Sequence, residues 1–239
     1  MIYELLFDDK GHKVFEIRND SPELYKRRKP HNRTGYRVLG RAGLVRQSQA
    51  VTYRLTTDTD MHTSIMGVNR KIHEETTHLL YTNHSFDFGR DIEAIVPFFS
   101  DLTRETRPFV QEISLTKQGF VYSRDFDRCE WSNVCEFLRT EMCVKSMNLM
   151  VEGGRPSLGW EGLTEYAQAD FKTLSSVKYE ALEWVWDLLK VRVRNLEVTS
   201  EIHHCAVPDH SSGVAFFAAF SSSIETGFAD YLRGEMLIR

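Results

Sequence analysis

The 239-residue chain lacks any long apolar segment. Its longest uninterrupted apolar run is Val214–Phe220, whereas a helix needs about 20 apolar residues to cross a bilayer. The opening residues MIYELLFDDK contain neither a basic start nor a cleavable apolar stretch, so we expect no secretory signal. The sequence therefore predicts an intracellular protein, cytoplasmic or nuclear, without a membrane partner.

Cysteine is also scarce. We expect the four cysteines, Cys129, Cys135, Cys143 and Cys205, to be reduced thiols, because no export signal accompanies them. The composition is 41% hydrophobic and 27% charged, which is ordinary for a globular protein. A chain of this length buries roughly 70–75% of its unfolded surface, so its core needs neither disulfides nor metal.

Recognisable catalytic motifs are missing as well. A zinc peptidase needs two histidines four residues apart on one helix face, whereas His73 and His78 are five apart. Gly153-Gly154-Arg155 lacks the Gly-Lys-Ser/Thr ending of a phosphate-binding loop, and no Gly-x-Ser-x-Gly nucleophile elbow occurs. The sequence therefore predicts a non-enzymatic protein without catalytic residues or a cofactor, and an enzyme of unrecognised type is the third alternative.

One cluster contains residue types that suit zinc, namely His203, His204, Cys205 and His210. Its spacing matches no zinc finger, and no Cys-x-x-Cys pair supplies further ligands. We expect no metal site there, and the sequence leaves the role of the cluster open.

Charge is distributed unevenly along the chain. The segment Leu24–Arg54 contains nine basic residues and no acidic one, although the net charge of the whole chain is −4. A basic arm of this kind binds nucleic acid or directs nuclear import. The simpler reading is a solvated loop that pairs loosely with the acidic remainder. The candidate basic patch consists of Lys26, Arg27, Arg28, Lys29 and Arg33.

Apolar periodicity predicts alternating helices and strands. A helix is expected from Ile65, with Thr63 or Ser64 as its cap, and its apolar stripe would contain Ile65, Val68, Ile72, Thr76, Leu79 and Leu80. Asn83 ends this helix, and Phe86-x-Phe88 alternates like a strand. A short strand is also expected at Val14–Ile17.

The same helix–strand pattern then recurs three times. Helices marked by Ile92–Phe99, Trp131–Leu138 and Leu182–Leu189 each precede a strand of the form Val-x-x-apolar-x-apolar. The three strands are Val110–Leu115, Val144–Leu149 and Val193–Val198. Such units favour parallel strands joined by crossover helices. The predicted fold class is α/β, or α+β, as an irregular leucine-rich-repeat-like stack.

Aromatic residues at helical spacing are expected in the core. This group contains Trp131, Trp186, Phe217 and Phe220, and a final helix over Val214–Leu232 would bury Phe217, Phe220, Ile224, Phe228, Tyr231 and Leu232. Trp160 and Trp184 do not follow the apolar periods, so we interpret them as surface candidates.

Several motifs occur together in a fixed order. They are Met1-Ile-Tyr-Glu-Leu-Leu6, Arg70-Lys-Ile72-His-Glu74-Glu75, Leu79-Leu80-Tyr81 and Phe86-Asp-Phe88. In this order they resemble a fungal family of F-box-like proteins of unassigned activity. Two departures are the missing Leu-Pro-x-Glu-Ile-Arg start and Asn69, which stands where the family usually has Cys.

The resemblance implies an N-terminally truncated F-box-like remnant with a basic insertion over residues 1–62, and a helix–strand repeat domain over residues 63–239. It implies a substrate-recognition subunit of a cullin ubiquitin ligase. Ile2, Tyr3, Leu5 and Leu6 would then contact a Skp-type adaptor, and Trp160 with the strand-end loops would contact a protein substrate. The alternative is a nucleic-acid-associated protein that acts through residues 24–54.

Overall fold

The computed structural model describes residues 12–19, 36–37, 50–51, 53–56, 63–119, 125–155, 165–204 and 211–238. The strands are β1 (Val14–Asn19), β2 (Tyr36–Arg37), β3 (Ala50–Val51), β4 (Tyr53–Leu55), β5 (Ser85–Asp87), β6 (Glu112–Gln118), β7 (Ser146–Arg155) and β8 (Asn195–His204). The α-helices are α1 (Arg70–Thr82), α2 (Ile95–Asp101), α3 (Asp125–Glu141), α4 (Gln168–Ser176), α5 (Glu183–Leu188), α6 (Ser211–Ser222) and α7 (Ala229–Met236). Short 3₁₀ turns lie at Thr63–Gly67, Ile92–Ala94, Arg107–Phe109 and Glu180–Leu182, and a π-turn lies at Ile224–Phe228.

The protein is a mixed α/β structure built on a six-stranded sheet with the order β4-β1-β5-β6-β7-β8. Strands β1, β5, β6, β7 and β8 are parallel, and β4 is antiparallel to β1. Strands β2 and β3 form a separate antiparallel pair. The predicted boundary at residue 62 stays a prediction, but β1 and β4, which precede it, belong to the same sheet as β5–β8.

The predicted strand cores lie in one row across the sheet. The hydrogen-bonded register pairs Phe15 with Phe86, Phe86 with Ile113, Ile113 with Met147, and Met147 with Leu196. All five side chains are buried. The prediction of parallel strands is therefore confirmed, and consecutive strands after β4 are neighbours in space.

In the described part of the chain, the side chains on one face of the sheet are buried and most of those on the other are at least partly exposed. Along β6 the side chains of Ile113 and Leu115 are buried, whereas those of Glu112, Ser114 and Thr116 are partly exposed. The buried residues of β1 and β5–β8 join residues of the helices in a single hydrophobic cluster. We call this side of the sheet the covered face.

The helical residues expected in the core mostly lie there. Trp131, Val134, Cys135 and Leu138 of α3 are buried, as are Phe217 and Phe220 of α6. The final helix is not continuous, because the π-turn interrupts it, yet Ile224, Phe228, Tyr231 and Leu232 are buried as predicted. The interruption leaves the buried face of the helical segment intact.

The start of α1 differs from the prediction. Neither Thr63 nor Ser64 caps the helix, because residues 63–67 form a 3₁₀ turn. Instead Asn69 is the N-cap, and its side-chain oxygen accepts a hydrogen bond of 3.0 Å from the Ile72 amide. Val68 precedes this cap and is 64% exposed, so its predicted place in the apolar stripe is wrong.

The interpretation of Trp184 as a surface residue is also wrong. Trp184 is fully buried, whereas Trp186 is half-buried. The 3₁₀ turn at Glu180–Leu182 precedes α5 and rotates the helix relative to uninterrupted α-helical spacing. The buried set consequently becomes Leu182, Trp184, Val185 and Leu188.

Gly153 allows α6 to approach β7 closely. A Cβ atom at this position would lie 2.8 Å from the Ser221 hydroxyl oxygen and 3.0 Å from Cδ1 of Ile224. The adjacent Gly154 amide donates a hydrogen bond of 2.9 Å to the Ser221 hydroxyl. The glycine pair therefore serves helix–strand packing.

The outer edge of β8 is capped by side chains and by the C-terminal segment. The Ser200 amide and hydroxyl donate to the Glu225 carboxylate at 2.9 and 2.8 Å, and these bonds lower the pKa of that carboxyl group. Arg233 donates to the Leu196 carbonyl at 3.3 Å, and Val193 forms a parallel bridge with Leu237. These contacts satisfy groups that would otherwise invite another strand.

Candidate functional site

The face of the sheet opposite the covered face carries mostly polar side chains, most of them partly or fully exposed, although Glu152 is buried. We call it the open face and define it by alternate residues of five strands: Val14, Glu16 and Arg18 on β1; Asp87 on β5; Glu112, Ser114 and Thr116 on β6; Ser146, Asn148, Met150 and Glu152 on β7; and Asn195, Glu197, Thr199 and Glu201 on β8. The strict two-residue period of a strand places these side chains on one side.

Side-chain hydrogen bonds link the strands on the open face. The Asn148 amide nitrogen lies 3.4 Å from a Glu112 carboxylate oxygen and 3.3 Å from the Ser114 hydroxyl. The Asn195 amide nitrogen donates to the Ser146 hydroxyl at 3.1 Å. These bonds fix the orientation of polar groups that face solvent.

A shallow depression of about 480 Å³ lies at the amino-terminal ends of β6, β7 and β8. Its lining contains two carboxylates (Glu112 and Glu197) and two guanidinium groups (Arg194 and Arg233). The other lining residues are the polar Ser146, Asn148 and Asn195 and the apolar Leu196 and Leu237. Arg233 is already engaged, because it contacts Asp230 at 3.2 Å and the Leu196 carbonyl. Glu197 is exposed, which leaves its carboxylate accessible to a ligand.

At the other end of the strands, arginines cover part of the open face. Arg18 donates to the Asp87 carboxylate at 2.8 Å and to the Asp87 backbone carbonyl at 2.7 Å. Arg90 pairs with Glu152 and lies 3.5 Å from the Glu201 carboxylate. At the amino-terminal ends, Glu112 and Glu197 lie beside Arg194 and Arg233, so charges of both signs are present there.

Reactive residue types inside the covered face are enclosed. Lys117 is 7% exposed, and its ammonium lies 5.3 Å from the ring centroid of Trp131 and 6.0 Å from that of Trp184. The Trp131 indole donates to the Trp184 carbonyl at 2.7 Å. Burial raises the pKa of the nearby Cys135 thiol, which keeps it protonated and a poor nucleophile at neutral pH. This group stabilises the interior.

Glu130 is another polar residue of the covered side. It is 4% exposed, and burial, with a smaller effect from Glu93, raises the pKa of its carboxyl group to about 7. Glu130 does not line the depression described above. Its titration therefore concerns stability.

The two histidines of α1 do not converge on a metal site. The His73 ring nitrogen lies 3.2 Å from the Met66 carbonyl oxygen, and the His78 ring packs 4.8 Å from that of Phe109. Within the described ranges, no group of three or more potential metal ligands occurs. His203 and His204 end β8, and Cys205 and His210 lie outside the described residues.

Most of the predicted contact residues also lie outside the described residues. This holds for Ile2, Tyr3, Leu5, Leu6 and Trp160, and for the basic patch of Lys26, Arg27, Arg28, Lys29 and Arg33. Their proposed roles in partner binding and in nucleic-acid binding stay predictions. The open face was missed at the sequence level, although the alternation Glu-x-Ser-x-Thr in β6 and Asn-x-Glu-x-Thr in β8 indicates it.

No protein-family model, curated protein or solved structure matches this chain. Among the described residues, no helix combines the length and apolar character needed to cross a membrane.

Proposed function

We propose that this protein is a non-enzymatic protein-interaction module whose binding surface is the open face. One observation carries the proposal: the hydrophobic cluster covers one side of the sheet, while the other side presents partly exposed polar side chains on adjacent parallel strands. A polar face that spans several parallel strands offers many hydrogen-bonding groups to an extended ligand.

The order of the strands supports a leucine-rich-repeat-like arrangement. Strands β5, β6, β7 and β8 are consecutive in sequence, adjacent in space and parallel, and their core residues share one row. Repeat stacks of this type bind partners on the sheet face that their helices leave free. The unequal lengths of the connections make the stack irregular.

The resemblance to F-box-like proteins extends the proposal to a cellular role. The open face would hold a substrate protein, while Ile2, Tyr3, Leu5 and Leu6 would contact a Skp-type adaptor of a cullin ubiquitin ligase. The two surfaces are separate in sequence. They can therefore be tested separately.

The test is co-elution of the purified chain with a Skp-type adaptor in size-exclusion chromatography. We expect a shared peak for the chain as given, and loss of that peak when Ile2, Leu5 and Leu6 are all replaced by Glu. A matched control replaces Glu112 and Glu197 by Gln, which should leave adaptor binding unchanged. Absence of any shared peak would overturn the ligase role, and an unchanged peak for the triple variant would overturn the assigned contact residues.

A further inference from the structure

A buried histidine lies where the amino-terminal end of β1 meets β5. His84 directly precedes β5 and is 1% exposed, and the Lys13 backbone amide donates a hydrogen bond of 3.1 Å to its ring nitrogen Nδ1. Because the amide is the donor, Nδ1 is the acceptor and carries no proton. The imidazole ring is therefore neutral, with its single proton on Nε2.

We propose that His84 makes the start of β1 an acid-sensitive contact, in which a proton taken up by Nδ1 removes the acceptor of the Lys13 amide and releases residues 12–15 from β5. In the closed arrangement the protonated ring would point a donor at another donor, and burial disfavours its positive charge. Opening of the segment exposes the imidazolium to water, which solvates the charge. Acid therefore favours the open arrangement.

The titratable groups around this contact act mainly in the same direction. The ring centroids of His12 and His84 are 6.5 Å apart, so a positive charge on His12 opposes a second one on His84. A Glu112 carboxylate oxygen lies 3.7 Å from the His12 ring nitrogen and offsets part of that repulsion. On the α1 side, Tyr81 stacks on Phe86, and burial raises the pKa of its hydroxyl group, so that Tyr81 is neutral in acid.

The two ends of β1 are held by different chemistry. At the far end, the Asn19 backbone amide donates to the Asp91 carboxylate at 3.1 Å, and its side-chain amide donates to the Glu93 carboxylate at 3.0 Å. At the near end, the Ser85 amide donates to the Lys13 carbonyl at 3.1 Å beside the histidine contact. Of these contacts, only the near end involves an imidazole. Release in mild acid should therefore begin at the near end and leave the far end in place.

The test measures amide hydrogen exchange by NMR between pH 7.5 and pH 5.0, with the rates corrected for intrinsic exchange. In the open segment the ring has a pKa near the ordinary histidine value of about 6.5, so the equilibrium constant for opening at Lys13 should rise about thirtyfold at pH 5.0. The Asn19 amide, at the other end of the same strand, should change by less than about twofold. An equal loss of protection at both amides would overturn the proposal, because the whole strand would then open together.

His84→Asn isolates the proton from the hydrogen bond. The side-chain oxygen of Asn lies close to the position of Nδ1 and accepts from the Lys13 amide, but it takes up no proton in this range. We expect the acid-induced opening at Lys13 to disappear. His12→Asn is the matched control, because it removes the exposed neighbouring ring, and it should keep the thirtyfold change to within about threefold. Opening by acid that persists in His84→Asn, or is lost in His12→Asn, contradicts the proposal.

A measurement on the unmodified protein covers the case in which His84→Asn folds poorly. The nitrogen chemical shifts of the His84 ring distinguish its two neutral tautomers, and we expect the form with the proton on Nε2 at pH 7.5. A proton on Nδ1 at that pH would overturn the proposal. Titration of His84 near pH 6.5 without any loss of protection at Lys13 would also overturn it. Adaptor co-elution at neutral pH does not involve this contact, so this inference and the proposed function can fail separately.

Discussion

The two faces of the sheet differ in chemistry although the same strands build both. On β7, Leu149 is 1% exposed and its neighbour Met150 is 39% exposed. The first packs among the aromatic residues of the helices, and the second points to solvent between polar side chains. One strand therefore contributes alternate residues to the core and leaves the others for the proposed binding surface, so mutations on the two sets should affect different properties.

The largest expected effect comes from breaking the covered face. Leu149→Ala should lower the free energy of unfolding by about 2–5 kcal/mol, because it leaves a cavity in a closely packed core. Met150→Ala, one residue away on the open face, should change it by less than about 0.5 kcal/mol. Urea denaturation of both variants is the measurement, and equal losses would contradict the assignment of the two faces.

A second way to break the covered side is to add an atom in the π-turn. A Cβ at Gly227 would overlap the Tyr166 carbonyl oxygen and lie 2.9 Å from the Ala167 carbonyl carbon. Gly227→Ala should therefore cost about 1–3 kcal/mol of unfolding free energy, since backbone must shift. Gly67→Ala is the matched control, because no atom lies within 4 Å of its added Cβ. Thermal and urea unfolding of the pair should separate them.

The pH dependence of stability tests the Glu130 carboxyl group, which the covered side encloses. The pKa of Glu130 is about 7 in the folded protein against an ordinary value of 4.5. Between these values the folded chain holds a proton that the unfolded chain has lost, so the free energy of unfolding falls as pH rises toward 7. The penalty is fully present above pH 7.

Replacing this residue should remove that dependence. Glu130→Gln should raise the free energy of unfolding at pH 8 by about 1–3 kcal/mol relative to the parent, and by little at pH 4.5. Glu74→Gln, on the exposed face of α1, should show no such difference. Urea titrations at four pH values measure both variants, and a gain that is independent of pH would contradict the assignment.

The smallest effect is expected on the open face itself. Arg18→Met removes two hydrogen bonds to Asp87, and it should lower the free energy of unfolding by about 0.5–1 kcal/mol, less at high salt. Arg54→Met is the control, because Arg54 pairs with Arg18 in register but is exposed. A loss of several kcal/mol in the free energy of unfolding would show that side chains of the open face also contribute strongly to stability.

The sequence predicts the parallel strands well because each carries a dense apolar pattern. In Val144-x-x-Met147-x-Leu149, Met147 lies in the buried row that crosses the sheet, and Leu149 lies in the next buried row along the strand. Val144 is also buried, just before β7 begins. The same alternation decides which residues of each strand point into the core, and these residues form the shared row. The pairing of β1 with both β4 and β5 could not, since it joins residues far apart in the chain.

The errors arise where short 3₁₀ turns replace regular helix. Val68 and Trp184 were both placed by a period of 3.6 residues, and each follows a 3₁₀ turn with a period of three. The sequence does not reveal the open face for another reason. Its residues are ordinary polar types, and their meaning depends on strands that meet only in the folded protein.

The row that runs through Phe15, Phe86, Ile113, Met147 and Leu196 has a consequence for how such a chain can change length. The connections between these strands differ widely in length, yet in every strand the residue of this row points toward the helices. Inserting one residue inside β6 would reverse the faces of everything after it in that strand. Adding or removing residues in the connections does not change which side chains point into the core. Changes in length are therefore restricted within the strands and tolerated between them.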